Sequence, residues 1–171
     1  MRRPHLQTGR LILRPLRASD EAALVAALDD WDVVRWLAVV PFPYGPADVR
    51  AFLPSAEPGT VWAIEDGKRL VGMIEKDGIL GYWLARAAWG RGYATEAARA
   101  VLSEHFADPA AGPVGSGYFE GNDWSAKVLT KLGFRISGYA MRRSRACPGV
   151  DSLSCRMRLC RADWEAKGAL L

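Results

Sequence analysis

The sequence predicts an α/β protein: a mixed sheet of about seven strands, mostly antiparallel, with helices between and beside them. Three observations predict it. Turn signals at Gly67 and at Asp77-Gly78 divide residues 61–84 into three short strand-like runs, an antiparallel meander. A helical pattern opens directly after that meander, behind the glycines of "WGRGYATEAARAVL" (89–102). Two alternating runs near the end, 135–144 and 151–159, read as a closing antiparallel pair. A chain of 171 residues is long enough to bury a core, so one domain over 1–171 is expected.

The elements follow in order. Residues 10–16, "RLILRPL", alternate as a first strand. Ser19 or Asp20 caps a helix with Ala22, Ala23, Ala26 and Ala27 on one face. Residues 31–37 form a second short helix, ended by the prolines of "PFPYGP", and residues 47–53 a third. Strands 61–66, 69–76 and 79–84 make the meander, and Asp77-Gly78 suits a type I′ turn. The next helix carries Ala94, Ala97, Ala98, Val101, Leu102 and Phe106 as one apolar stripe, with Glu96 suiting its positive end. A strand at 113–119 and a helix at 123–132 follow. Gly133 is placed as the helix stop and Phe134 as its hydrophobic partner.

Composition excludes several classes. The 23 basic and 19 acidic residues leave a net charge of +4. No tract of roughly 18 apolar residues is present, so no membrane span is expected. The first residues lack the apolar core of a signal peptide, so the chain is expected to begin near Met1 and remain cytoplasmic. Cys147, Cys155 and Cys160 make an odd count without a C-x-x-C pair, which fits reduced thiols. With only His5 and His105 as imidazoles, no metal is expected. Basic residues gather at 141–145 and 155–161, where Arg156 and Arg158 alternate with Met157 and Leu159 as one wet strand face. No aromatics interleave them for base stacking, so no nucleic-acid partner is expected.

The chemistry centres on "WGRGYAT". A helix start leaves backbone N–H groups unpaired at its positive end. Gly90 and Gly92 allow the preceding backbone to curl so that more N–H groups converge on an anion, with Arg91 adding charge. Turn chemistry alone accounts for such glycines equally well. No G-x-x-x-x-G-K-[ST] is present, and G-x-G-x-x-G is incomplete, which sets aside the P-loop and the dinucleotide fold. A second stretch, "NDWSAKVLTKLGF" (122–134), follows the next strand, with Asn122 or Asp123 as its helix cap.

Together, "GYWLARAAWGRGYATEAARAVL" and "NDWSAKVLTKLGF" resemble the GNAT superfamily of acyl-CoA-dependent N-acyltransferases, nearest its RimJ/RimL-like branch. "TGRLILRPLRASDEAAL", "DDWDVVRWL" and "PFPYGPADVRAFL" match that branch too, so the resemblance runs from about residue 8 to 164. It implies a GNAT-like fold whose fourth and fifth strands run parallel and splay apart, with the pantetheine arm of acetyl-CoA between them. It implies that Trp89, Gly90, Arg91, Gly92, Tyr93, Ala94 and Thr95 bind the pyrophosphate. Trp89, Gly92 and Ala94 fit the family pattern, although Trp89 replaces its usual polar residue.

The Leu84 backbone N–H corresponds to the donor that polarises the thioester carbonyl. Two proton transfers accompany amine attack: one away from the amine and one to the leaving sulfur. The helix tyrosine that serves the sulfur in many members is Leu129 here, which leaves Ser125 as the implied donor and Asn122 as a cofactor contact. For the base, Glu75 is first choice and Glu120 second, with a water relay as the alternative to both. Trp31, Trp36, Phe42 and Tyr44 either wall an acceptor pocket or simply pack. The implied activity is acetyl transfer from acetyl-CoA to a primary amine, a protein N-terminus or a small amine, by a monomer or homodimer. A non-catalytic acyl-CoA sensor is the alternative.

Overall fold

Strands β3 (Val61–Glu65), β4 (Leu70–Asp77) and β5 (Ile79–Leu84) form the expected meander, each antiparallel to the one before. The computed structural model describes residues 4–168; the expected domain ends at Met1 and Leu171 lie outside them. Before the meander come β1 (Leu6–Gln7), β2 (Ile12–Arg14), α1 (Glu21–Leu28), α2 (Trp31–Val34) and α3 (Pro46–Phe52). After it come α4 (Tyr93–Phe106), β6 (Val114–Phe119), α5 (Asp123–Leu132), β7 (Arg135–Arg143), β8 (Asp151–Leu159) and α6 (Arg161–Gly168).

The sheet has eight strands in the order β1-β2-β3-β4-β5-β6-β8-β7. All neighbours are antiparallel except β5 and β6, which run parallel and pair only at Ile79 and Gly115. Beyond that rung the two strands diverge. The fold is the mixed α/β sheet with one splayed parallel pair that the sequence implied.

Each sheet face buries a different cluster. On one side Leu80 packs with Leu102, Leu129 and Leu159 beneath α4 and α5, all at most 2% exposed. On the other, Trp83 packs with Leu24, Leu28 and Val49 of α1 and α3. Full burial of each such side chain is worth about 1.5–3 kcal/mol. Three local expectations are corrected. Helix α1 buries Leu24, Ala27 and Leu28, leaving Ala22 and Ala26 exposed, because bulkier leucines take the core positions in a helix with little apolar contrast. Helix α2 ends at Val34, short of Leu37. The β4–β5 turn is not type I′, which needs two positive φ angles. Asp77 pairs with Ile79 across Gly78 alone (φ 72°), and the Gly78 carbonyl accepts from Gly115 N at 2.9 Å, tying the turn to β6.

Candidate active site

The splay opens a cleft of about 1700 Å³ that passes between β5 and β6. Its chemistry begins with backbone direction. Ala85 N donates to Val71 O at 2.9 Å, so Ala85 and Val71 are a hydrogen-bonded antiparallel pair. Alternation along β5 then turns the N–H groups of Leu84 and Tyr82 away from β4, toward β6. The β5–β6 ladder stops at Ile79, so the Leu84 N–H faces the open cleft. Trp89 Nε1 donates to Leu84 O at 2.8 Å, which closes the carbonyl side and gives the unexpected tryptophan a defined task.

The turn after β5 has a geometry that can receive an anion. Gly90 (φ 75°) and Gly92 (φ 78°) are both left-handed, a conformation that costs other residues about 1–2 kcal/mol. Helix α4 then opens at Tyr93 with its first N–H groups outward. Trp89, Gly90, Gly92, Tyr93, Ala94 and Thr95 line the cleft, whereas Arg91 is exposed on the turn outside that lining. Glu96 fixes the helix start from behind, accepting from Thr8 Oγ1 at 2.5 Å, Arg10 N at 3.0 Å and Arg10 Nε at 2.7 Å.

Helix α5 is the opposite wall. Asn122 is its cap, with Oδ1 accepting from Ser125 N at 3.2 Å. Gly133 (φ 96°) ends it, and Phe134 N donates to Leu129 O at 3.0 Å, as the Gly-Phe stop predicted. Leu129 is fully buried in the core and offers no polar group. Ser125 instead forms a hydroxyl pair with Tyr82, Oγ to Oη 2.9 Å. Burial pushes the Tyr82 phenol up to about 12 despite that hydrogen bond, so it stays protonated near neutrality. Sequence reasoning missed Tyr82. It lies two residues before Leu84 on the same strand, so period-two alternation was the available signal.

Glu75 lies on the other sheet face, among the cleft-lining residues. Its side chain folds over Gly81, with Oε1 3.0 Å from where a Cβ there would stand. Burial, reinforced by the charge of Asp77, raises its carboxyl above the ordinary range. Glu120 is exposed and borders a smaller cavity of about 450 Å³ instead. Trp36 and Tyr44 line the main cleft, Tyr44 as a core residue 6% exposed. Trp31 and Phe42 do not line it; they pack edge to face on the surface, centroids 5.4 Å apart. One wall was not foreseen: the β7–β8 loop clasps the segment after α2. Ser144 Oγ donates to Leu37 O at 2.6 Å and Arg145 N to Ala38 O at 2.9 Å.

A splayed parallel pair, a left-handed glycine turn at a helix start and an unpaired strand N–H between them mark the class as acyltransferase. Comparison with known proteins agrees. The model of the acetyltransferase (GNAT) domain family matches residues 10–135, and the chain belongs to that family. It is 28% identical over 150 residues to the uncharacterized N-acetyltransferase YoaA of Bacillus subtilis (strain 168), covering 79% of this chain and 85% of YoaA. Among solved structures it shares its fold with Mycobacterium smegmatis RimJ in complex with CoA-disulfide, at TM-score 0.72 and 22% identity, covering 93% of this chain and 87% of that one. The Vibrio fischeri ribosomal-protein-S5-alanine acetyltransferase superposes with TM-score 0.75 at 16% identity, over 94% and 98% of the two chains. Among the described residues no helix is long and apolar enough to cross a membrane.

Proposed function

We propose that the protein is an acetyl-CoA-dependent N-acetyltransferase that acetylates a primary amine by direct attack in a ternary complex. The observation that carries this reading is the Leu84 N–H aimed into the splay, between a carboxylate on one sheet face and a hydroxyl pair on the other. The left-handed turn at Gly90 and Gly92 suits a diphosphate, since a Cβ at Gly90 would meet nothing within 4 Å and the space beside the turn is open. Bound acetyl-CoA would supply the activated thioester. Trp89 to Thr95 hold its pyrophosphate, with Arg91 adding charge from the rim and Asn122 contacting the cofactor from α5.

Glu75 takes the proton from the attacking amine, a task its raised carboxyl suits. Leu84 N–H donates to the carbonyl oxygen as that oxygen gains charge, worth about 2.7–4 kcal/mol for one well-placed donor. Ser125 passes a proton to the departing sulfur and recovers one from cleft water through Tyr82, so that both hydroxyls end protonated. Trp36 and Tyr44 border the acceptor side. The protein works in the cytoplasm as a monomer or homodimer, without metal.

Thiol release from acetyl-CoA across a panel of peptides and small amines tests this. Turnover with at least one amine, falling roughly 10²-fold in Ser125→Ala, is the expected result. Tight acetyl-CoA binding with no thiol release for any amine would instead favour a non-catalytic acyl-CoA sensor.

A further inference from the structure

The floor of the cleft on the Glu75 face has a pattern that acetyl transfer does not require. Glu75 pairs with Gly81 across β4 and β5. Counting two residues along the parallel pair from Ile79 and Gly115 brings Gly81 level with Gly117, which pairs with Arg156 of β8. Across the splay the order thus reads Glu75, Gly81, Gly117, Arg156, with every position on the same face. The two glycines add no side chain of their own: Glu75 folds over Gly81, and at Gly117, which is exposed, the floor is backbone.

Arg158 and Arg142 share that face, by the same alternation along β8 and by the pairing of Arg142 with Ser152. All three arginines line the cleft and are exposed. Their neighbours on the same strands are neutralised, Arg143 by Asp151 and Arg135 by Asp163. No ion pair joins Arg142, Arg156 or Arg158 to a carboxylate among the described residues. The cleft is therefore dipolar, acidic at β4 and basic at β8 and β7, with three strand spacings, at least about 14 Å, between the poles. The arginines also stand apart from the pyrophosphate turn, whose helix α4 covers the opposite face.

We infer that the acceptor is an amine that also carries an anion, a carboxylate or a phosphate, several bonds from its nitrogen. This rests on the transferase reading above, with the amine at Glu75 and the anion on Arg142, Arg156 and Arg158. Guanidinium groups favour both anions through paired N–H donors. The Arg156 guanidinium now leans over Gly138, with Nη2 3.8 Å from where a Cβ there would stand, which keeps Gly117 clear.

The test uses acceptors matched except for charge: phosphoethanolamine against ethanolamine, and alanyl-glutamate amide against alanyl-glutamine amide. In at least one pair the anionic member should win by tenfold or more in kcat/KM. That ratio should fall toward one in the double variant Arg142→Gln/Arg156→Gln, while its affinity for CoA stays within twofold of wild type. The two pairs separate a phosphate preference from a carboxylate preference. Equal kcat/KM within both pairs, a preference that survives the double substitution, or a large loss of CoA affinity would each overturn the inference. Calorimetry of the same four compounds with the CoA-loaded protein separates the two readings. Anion-selective binding without transfer defeats the transferase reading alone, and unselective or absent binding defeats this one.

Discussion

Glu75 shows how one residue position couples stability to chemistry. Burial and Asp77 hold its carboxyl above the ordinary range, so the folded state binds a proton that the unfolded chain releases. Stability therefore falls as pH rises from the ordinary carboxylate range through the raised value, and over the same window Glu75 would become competent as the proposed base. Glu75→Gln should unfold at a higher temperature than wild type near neutral pH, and its pH–rate profile should lose the acidic limb. Thermal melts and kcat/KM profiles of the two proteins check both halves. For the hydroxyl pair, Tyr82→Phe should lower kcat with little change in KM for acetyl-CoA, because the phenol supports Ser125 from behind. The Ser125–Tyr82 contact spans 43 residues of chain, so no local pattern announces it. Ser125 was legible through its motif; its partner emerges only when β5 and α5 face each other. Trp31 and Phe42 stayed open between two uses in the sequence because aromatic side chains fit a pocket wall and a surface contact equally well.

At the level of elements, the readings that held were those with local punctuation. Strand β5 and helix α5 begin and end where turn residues and the Gly133 stop placed them. Helix α4 buries five of the stripe residues read from its 3.6-residue period, and the sixth, Ala94, faces the cleft. The alanine-rich α1 has little apolar contrast, which is why its buried face was misassigned. The two-residue β1 is too short to leave a period, and it raises the sheet from the expected seven strands to eight.

What anchors α1 is electrostatic. Arg14 binds Asp20 through two bonds of 2.8 Å, with both side chains buried, and reaches Glu65 at 2.6 Å. Burial alone would raise the Asp20 carboxyl, but the Arg14 guanidinium and the Arg17 backbone N–H outweigh it and hold it below the ordinary range. That stabilisation is complete above the ordinary carboxylate range and disappears as pH falls through the lowered value. Asp20→Ala should cost about 1–3 kcal/mol in denaturant melts, since it removes two bonds from a buried guanidinium and leaves Glu65 as its remaining carboxylate. For the turn before α4, Gly92→Ala should weaken CoA by about tenfold while leaving phosphate-free pantetheine nearly unaffected, a contrast that calorimetry reads directly. Equal affinity of the wild type for CoA and pantetheine would contradict the phosphate cradle.

Over the whole molecule, sheet topology divides the work. On the proposed function, the donor turn and the Ser125–Tyr82 pair belong to α4, α5 and the face they cover, and Glu75 and the acceptor segment to the other face. Only the β5–β6 splay connects them, so the chemistry falls where the ladder stops. The donor half was legible because its contacts lie within one strand–turn–helix segment. The acceptor half was not, because it joins residues 36–44, 75–81 and 142–158, which only the folded sheet brings together. The central claim is that this splay carries acetyl from CoA to an amine. A mass-spectrometric screen of peptides and small amines with acetyl-CoA and the wild-type protein tests it most directly. An N-acetylated product that accumulates in step with released CoA is the predicted result; CoA bound at the cleft with no acetylated amine anywhere in the screen would contradict it.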